Sequence, residues 1–419
     1  MDVKTVGVVT SFYNFDPAYS LCAVVKDQLT ALQKNGYKTV LCVLVNFTGS
    51  ENVPKGVEIR KIVPQLILEP YSGTQFPDHW KEDVEKARSS FERNLADADY
   101  LLVHDLMFID SFLPYNRALR EVAPKLKAKM FFWTHSAPSG RPNLEDNPHA
   151  SRFLPVPGKL VYLNHDKAND LAEMYSMWLK DVRVIHNSRD PRTCWNLHPL
   201  VESVINKYDL LKADIISTYP VSTPRMISGK GLDKIVKIHS KLKALGYKTK
   251  LIVCNAHANA EKDRRMIAET KVWASEMGIT QEELIFTSTE DAPTYELAAP
   301  QQAVSDFFRL SNVFIFPTTS ENSSLILLEA MAAGNLLVLN KKVGTLLEHA
   351  GDTAIYMDFE YRDKKDENER YYLDLARIIA SQFEVSKPLQ AKRLLFQKFN
   401  YDKIGKDIET LFFEADAGE

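Results

Sequence analysis

The stretch VFIFPTTSENSSLILLEAMAAGNLLVLN, from Val313 to Asn340, decides the fold class. Its four apolar residues Val313 to Phe316 predict a buried strand, which Pro317 ends. A short polar loop follows, and the helix-forming residues from Leu325 to Ala333 predict a helix. The apolar run from Leu336 to Leu339 predicts a second buried strand. A strand, loop, helix and strand in this order indicate a parallel α/β sheet.

Two glutamates of this unit are candidates for ligand binding: Glu321 in the loop and Glu329, eight residues later, on the helix. Ligands of open α/β sheets bind beyond the carboxyl ends of the strands. The helix start near Ser323, Ser324 and Leu325 favours an anion such as phosphate, whereas carboxylates accept hydrogen bonds from sugar hydroxyls. The combination predicts a ligand with both phosphates and hydroxyls. The alternative is a pair of solvated surface carboxylates.

The pattern resembles the donor site of family 4 glycosyltransferases: a strand that ends in proline, two glutamates with seven residues between them, and Ala-Met-Ala-x-Gly. The resemblance implies the GT-B fold, an α/β architecture with two Rossmann-like parallel-sheet domains that face each other across a central crevice. It implies that Glu321 contacts the transferred sugar and Glu329 the nucleotide ribose. By the same resemblance, Asn322 and the helix start are expected to belong to this donor site. Asn322 and Ser324 stand where the family usually has glycines.

The composition is that of a globular protein, and 419 residues predict two or more domains. A net charge of −3 provides no global basic field that would attract nucleic acid or an anionic membrane. The four cysteines are scattered and form no CxxC pair, which predicts reduced thiols. We see neither a signal peptide nor an apolar run long enough to span a membrane, so we expect a cytoplasmic protein. Peripheral membrane contact stays open.

A basic turn precedes another predicted helix, Leu232 to Ala244. Gly229-Lys230-Gly231 forms this turn, and its glycines allow a close approach of the backbone to a ligand. Arg225 and Lys230 bracket the turn, so the two cations could neutralise a pyrophosphate. The alternative is two exposed basic residues in a loop. The family resemblance favours the first interpretation, and implies that both cations stabilise the departing nucleoside diphosphate without a metal ion or other cofactor.

The chain begins with a predicted strand, Lys4 to Thr10, and a predicted helix, Leu21 to Asn35, which together open a Rossmann-like domain. The loop between them contains Phe12, Tyr13 and Asn14. These three residues are candidates for an acceptor pocket. Aromatic loop residues are as often plain packing, so that alternative stays open.

Two later strands have polar residues at their carboxyl ends. The strand Tyr100 to Val103 is followed by His104 and Asp105, which are acceptor-side candidates. The strand Met130 to Trp133 is followed by His135. A lone histidine in such a position is commonly a packed core residue, but the family resemblance implies that it faces the donor sugar, and we favour this role.

We expect an N-terminal acceptor domain over residues 1–200 and a nucleotide-sugar donor domain over residues 201–399. The amphipathic helix over residues 400–415 is expected to cross back onto the first domain. The charged run from Glu360 to Arg370 predicts an exposed loop. Asp97-Ala-Asp99 matches the metal-binding DxD motif. It precedes its strand, however, and therefore lies at the edge of the sheet opposite the one where ligands bind.

These observations predict a retaining, metal-independent glycosyltransferase with His135 and Glu321 as its catalytic residues. Its donor would be a nucleotide sugar, UDP- or GDP-linked, and its acceptor a hydroxyl of a glycan, lipid or small molecule. One alternative is a phage-type transferase that acts on hydroxymethylated DNA bases. Another is a non-catalytic, sugar-nucleotide-binding protein of the same fold, suggested by the missing glycines. The candidate DNA groove contains basic residues: Arg88, Arg93, Lys125, Lys127, Lys129 and Arg141.

Overall fold

The computed structural model describes residues 3–66, 76–138, 148–288, 295, 297–360 and 365–418. The strands in these ranges are β1 (Thr5–Val9), β2 (Lys38–Leu44), β3 (Glu58–Val63), β4 (Tyr100–His104), β5 (Lys129–Trp133), β6 (Lys159–Tyr162), β7 (Val182–Val184), β8 (Ile215–Ser222), β9 (Thr249–Ala256), β10 (Leu284–Phe286), β11 (Val313–Phe316), β12 (Leu336–Asn340) and β13 (Ala354–Met357). The helices are α1 (Ser20–Lys34), α2 (Trp80–Asn94), α3 (Leu113–Val122), α4 (Ala168–Met174), α5 (Pro191–Cys194), α6 (Pro199–Lys207), α7 (Leu232–Ala244), α8 (Glu261–Glu276), α9 (Gln301–Leu310), α10 (Leu325–Ala332), α11 (Gly344–Ala350), α12 (Lys365–Val385), α13 (Lys387–Lys398) and α14 (Tyr401–Ala417). None of these described helices combines the length and the apolarity that crossing a lipid bilayer requires.

One compact unit comprises Met1–Asp190 and Phe399–Glu419. Its described strands form a parallel sheet in the order β3-β2-β1-β4-β5-β6-β7. The strands are continuous apolar runs because helices cover both faces of the sheet. Leu101 packs into the core cluster that contains α2 and α3, whereas its neighbour Leu102 packs into the cluster that contains α1 and α14. The strand order reverses between β1 and β4, the point where ligands of such sheets bind.

The terminal helix α14 belongs to this first unit. The backbone N–H of Arg189 donates to the carbonyl of Phe399 at 2.7 Å, and the backbone N–H of Tyr401 donates to Asp190 Oδ2 at 3.1 Å. Within α14, the ring of Phe412 stacks on Tyr100 of β4 with the ring centroids 3.9 Å apart. These contacts tie the end of the chain to the first sheet.

The second unit is Pro191–Lys398, so the division falls ten residues before the expected position at residue 200. The reason is that residues around α6 pack into the second core. Leu197 and Val201 are buried in a cluster with Ile216 of β8. The segment that the sequence analysis placed at the end of the first domain therefore covers the second sheet.

The second unit has two groups of parallel strands, β10-β9-β8 and β11-β12-β13. The groups meet where β8 lies beside β11. There the backbone N–H of Asn312 donates to the carbonyl of Ile216 at 3.0 Å, and the backbone N–H of Ile216 donates to Asn312 Oδ1 at 2.9 Å. The described order β10-β9-β8-β11-β12-β13 repeats the arrangement of the first unit. The predicted α/β class with two Rossmann-like parallel-sheet domains is confirmed.

The expected loop from Glu360 to Arg370 is wrong over part of its length, because α12 already begins at Lys365. Residues 361–364 lie outside the described residues. Acidic residues in a first turn favour a helix N-terminus, and Glu, Lys and Arg are good helix formers. Glu369 also forms an ion pair with Lys241 of α7, which anchors this charged turn. High charge here marks the exposed face of a helix.

Candidate functional site

Lys230 and Glu321 lie together at the carboxyl end of β11 in the second unit. The ammonium of Lys230 forms an ion pair with Oε1 of Glu321, and the side chains are only 19% and 13% exposed. The hydroxyl of Thr318 donates to the same carboxylate oxygen at 3.3 Å. The sequence predicts a role in donor binding for each charged residue separately, and the fold brings the two into contact.

The glycines of the basic turn allow this contact. Gly229 and Gly231 have φ angles of 79° and 72°, in the left-handed region that favours glycine. The backbone N–H of Thr319 donates to the carbonyl of Gly229 at 3.1 Å. A Cβ atom on Gly231 would lie 2.9 Å from Cγ of Pro317, the residue that ends β11. The turn therefore packs directly against the exit of the strand.

Further side chains hold the loop around Glu321. The hydroxyl of Thr345 donates to the carbonyl of Glu321 at 2.9 Å, and Nδ2 of Asn340 donates to the carbonyl of Thr318 at 3.0 Å. The hydroxyl of Tyr219 donates to the backbone of the basic turn. Burial is the main cause that raises the pKa of Tyr219 above its ordinary value, and the charge of Glu321 adds to it.

These supporting residues escaped the sequence analysis. A signal was available for two of them, because Thr318 and Asn340 are the first buried polar residues at the ends of apolar strands. Tyr219 lies inside β8 and resembles an ordinary core aromatic. Its role depends on where the basic turn packs, which the sequence pattern does not show.

The start of α10 lies next to this carboxylate. Ser324 is the buried N-cap of the helix, and its hydroxyl accepts a hydrogen bond from the backbone N–H of Leu327 at 3.3 Å. Asn322, Ser323 and Leu325 are exposed. The loop and the helix start are therefore accessible to a ligand, and their role in binding an anion stays a prediction.

Glu329 and Arg225 lie apart from the ion pair in the same unit. Glu329 is half-buried, and its Oε1 accepts a hydrogen bond from Nε2 of Gln301 at 2.5 Å. Arg225 is exposed in the turn after β8, the strand beside β11, and makes no ion pair with a residue that the structure describes. Its guanidinium is therefore available for an anionic ligand.

The first unit brings His104, Asp105 and His135 together at the carboxyl ends of β4 and β5. Nδ1 of His104 lies 2.9 Å from Nε2 of His135, and the rings stack with centroids 5.2 Å apart. Oδ1 of Asp105 accepts a hydrogen bond from the backbone N–H of His135 at 2.8 Å. Asp105 has a φ of 56°, an uncommon angle that aspartate tolerates better than most residues.

Burial sets the charges of this group. It lowers the pKa of His135 to about 4 and the pKa of His104 well below its ordinary value, so both imidazoles are neutral at pH 7. Burial raises the pKa of Asp105 to about 6, although the N–H of His135 opposes the shift. Asp105 is therefore mainly ionised at pH 7 while the two histidines are neutral.

Tyr19 also belongs near this group, although the sequence analysis missed it. Burial and, to a smaller extent, the charge of Asp105 raise the pKa of its phenol. The side chain is 52% exposed and precedes α1, at the carboxyl end of β1. His104, Asp105 and His135 follow β4 and β5, beside the point where the strand order reverses between β1 and β4.

Replacing Asp105 with asparagine is expected to stabilise the first unit at neutral pH. The folded-state pKa of about 6 lies above the ordinary value of 3.8, so the folded protein retains a proton that the unfolded chain loses. The ionised carboxyl therefore lowers stability as the pH rises from about 4 to about 6, and this cost is constant above pH 6. We expect a gain of about 1–3 kcal/mol in the free energy of unfolding at pH 8.

Thermal unfolding of Asp105→Asn from pH 4 to pH 8 measures this effect. Asparagine tolerates the left-handed backbone angle and keeps the acceptor for the N–H of His135. Asp166→Asn, at an exposed position, is the matched control and should change little. A pH-independent difference between wild type and Asp105→Asn would contradict the expectation.

The remaining acceptor-side candidates differ in exposure. Phe12 is buried and makes edge-to-face contacts with Phe15 and Tyr19, at centroid distances of 5.8 and 6.0 Å. These contacts favour the packing interpretation of Phe12. Tyr13 is largely exposed and Asn14 partly so, and both stay predictions.

Among the basic residues proposed for a DNA groove, Lys129 lies at the opposite edge of the first sheet from His104, because it is the first residue of β5. Three of them, Arg88, Lys125 and Lys127, form ion pairs with neighbouring carboxylates, which offset their charge. Arg141 lies outside the described residues. The partners in these ion pairs are Glu85, Glu92 and Asp99.

The DxD-like pair lies at the same amino edge. Asp97 binds the guanidinium of Arg60 through both oxygens, at 2.7 and 2.8 Å. Asp99 accepts hydrogen bonds from the backbone N–H of Thr5 and from Lys127. Both carboxylates therefore stabilise the edge of the sheet, as their position before β4 indicated.

No protein-family model matches the chain, and no curated protein sequence matches it. Similar solved structures include a glycosyltransferase from Rickettsia africae ESF-5, at 14% sequence identity, a TM-score of 0.39 and coverage of 100% of both chains. Sucrose-phosphate synthase from Thermosynechococcus elongatus has 12% identity and a TM-score of 0.37, over 99% of this chain and 100% of that one. The catalytic domain of starch synthase IV from Arabidopsis thaliana, bound to ADP and acarbose, has 13% identity and a TM-score of 0.34, over 100% of both chains.

Proposed function

We propose that the protein is a glycosyltransferase that moves a sugar from a nucleotide-sugar donor to a hydroxyl acceptor. The observation that supports this most is the contact of Lys230 with Glu321 beside the accessible start of α10. A nucleotide sugar offers a diphosphate, which needs cations and N–H donors, next to a sugar, which needs hydrogen-bond acceptors. One strand end supplies both kinds of group.

Each donor residue then has a chemical role. Lys230 and Arg225 neutralise the charge that develops on the leaving diphosphate, and the helix dipole of α10 adds to them. Glu321 accepts hydrogen bonds from the transferred sugar. Glu329, oriented by Gln301, accepts them from the ribose. Because these groups can supply the positive charge that the leaving group needs, we propose a transfer without a metal ion or other cofactor. The family resemblance supports the further proposal of retention at the anomeric carbon.

The first unit contributes polar groups suited to hydroxyls. The neutral imidazole of His135 can donate or accept a hydrogen bond, and it is the second proposed catalytic residue. The carboxylate of Asp105, ionised at neutral pH, can accept a hydrogen bond from the attacking hydroxyl and draw off its proton.

Ligand-induced thermal stabilisation tests the donor site and distinguishes the nucleotides. We expect one of UDP, GDP and ADP, or its sugar conjugates, to raise the melting temperature of the wild type. Arg225→Ala should lose most of this shift, and because Arg225 is exposed the substitution should leave the ligand-free melting temperature unchanged. No shift with any nucleotide in folded wild type would contradict the proposal. Binding without turnover of any donor would favour the non-catalytic alternative.

A further inference from the structure

The ion pair between Lys230 and Glu321 competes with the binding of a phosphate to Lys230. Both side chains are largely buried, and the Glu321 carboxylate receives only one other described hydrogen bond, the weak one from Thr318. Removing the cation from a partly buried carboxylate is unfavourable in free energy unless new hydrogen-bond donors replace it. Any phosphate that recruits Lys230 therefore weakens the interaction that holds Glu321.

The intact donor and the free nucleoside diphosphate differ in whether they can replace the hydrogen bond that Glu321 loses when Lys230 moves to the phosphates. A nucleotide sugar brings hydroxyls that can donate to Glu321 when Lys230 turns to the phosphates. A free nucleoside diphosphate brings no such hydroxyl to that position. It also has an additional negative charge on its terminal phosphate, which the nearby carboxylate repels.

We propose that the Lys230–Glu321 ion pair is a specificity device that makes the site prefer the intact nucleotide sugar to the nucleoside diphosphate that transfer releases. The inference rests on the proposed function and goes beyond it by assigning Glu321 a second effect. Glu321 strengthens donor binding and weakens product binding. Its charge thereby assists release of the nucleoside diphosphate after transfer.

The same unit provides a matched control. Glu329 on α10 is also a partly buried carboxylate, but its hydrogen-bond partner is the neutral amide of Gln301. Neutralising Glu329 frees no cation for a phosphate. Glu321→Gln and Glu329→Gln are both isosteric changes that remove one negative charge, and only the first releases Lys230.

Calorimetric titration of each protein with a nucleoside diphosphate and with the matching nucleotide sugar tests the inference. We expect Glu321→Gln to bind the diphosphate about tenfold more tightly than wild type and the nucleotide sugar more weakly. Glu329→Gln should bind neither ligand more tightly. In a Lys230→Met background, Glu321→Gln should improve diphosphate binding less than it does in wild type, because it then relieves only charge repulsion and releases no cation.

The outcomes separate the inference from the proposed function. If wild type binds the diphosphate and Glu321→Gln binds it equally or more weakly, the inference is overturned while the donor site stands. Equal tightening in the Lys230→Met background would also overturn it, since simple charge repulsion would then suffice. If neither wild type nor any variant binds a nucleoside diphosphate or a nucleotide sugar, the inference and the proposed function fall together.

Discussion

Lys230→Ala is expected to lower kcat/KM for the nucleotide-sugar donor about a thousandfold. One preorganised group that stabilises the developing charge of a transition state contributes about 10²–10³ in rate. The loss at this position is at the upper end because alanine also leaves the Glu321 carboxylate without its cation. That unpaired charge would then repel the departing diphosphate.

Steady-state kinetics with the preferred donor measures this effect, and Lys243→Ala is the control. Lys243 lies near the C-terminal end of the same helix that follows the basic turn, and it pairs with Glu283 at 2.8 Å. Its removal is expected to change kcat/KM less than threefold, as for a surface ion pair. A loss below tenfold in folded Lys230→Ala would remove this lysine from the proposed mechanism.

Gly231→Ala is expected to destabilise the second unit by about 2–4 kcal/mol and to abolish donor binding. The left-handed backbone angle costs an alanine about 1 kcal/mol. The new Cβ would also lie 2.9 Å from Cγ of Pro317, and relieving such an overlap in a packed site costs about 1–3 kcal/mol more. We expect the turn to relieve the overlap by moving Lys230 away from the exit of β11.

Gly229→Ala separates the two contributions. Gly229 has a similar φ angle of 79°, but a Cβ atom there would meet nothing closer than Oγ1 of Thr319 at 4.0 Å. We expect it to lose only the backbone contribution, about 1 kcal/mol. Urea unfolding, followed by a spectroscopic signal from the second unit, gives the free energy of unfolding of each variant for comparison. Equal destabilisation by the two alanines would show that the contact with Pro317 does not matter.

The strand–helix–strand unit at residues 313–340 was predicted almost to the residue. The first strand is Val313–Phe316 as expected, α10 covers Leu325–Ala332, and β12 extends the expected strand by Asn340 alone. These elements are encoded locally, by apolar runs bounded by a proline and a glycine. The two-domain α/β architecture follows from repeating such units along the chain.

Contacts between distant segments could not be predicted in this way. Lys230 and Glu321 are 91 positions apart, and their contact depends on β8 lying beside β11. A pattern of apolar residues indicates strands but does not give their order in a sheet. The contact of His104 with His135 depends in the same way on the pairing of β4 with β5.

In two segments residue type alone does not predict exposure. Phe12 lies in a loop but packs into the core, because the aromatic cluster with Phe15 and Tyr19 buries it. The charged run from Glu360 looked like a loop, yet from Lys365 onward it forms the solvated face of α12. In both segments the tertiary contacts of a few residues decide the outcome.

Turnover of a panel of nucleotide sugars by the wild-type protein tests the central claim most directly. The measured quantity is the nucleoside diphosphate released from UDP-, GDP- and ADP-linked sugars, with and without a mixture of hydroxyl acceptors. We predict release from donors of one nucleotide, increased by acceptor and lost in Glu321→Ala. Release from none of these donors, by folded protein that binds a nucleoside diphosphate, would contradict a transferase and leave a binding protein.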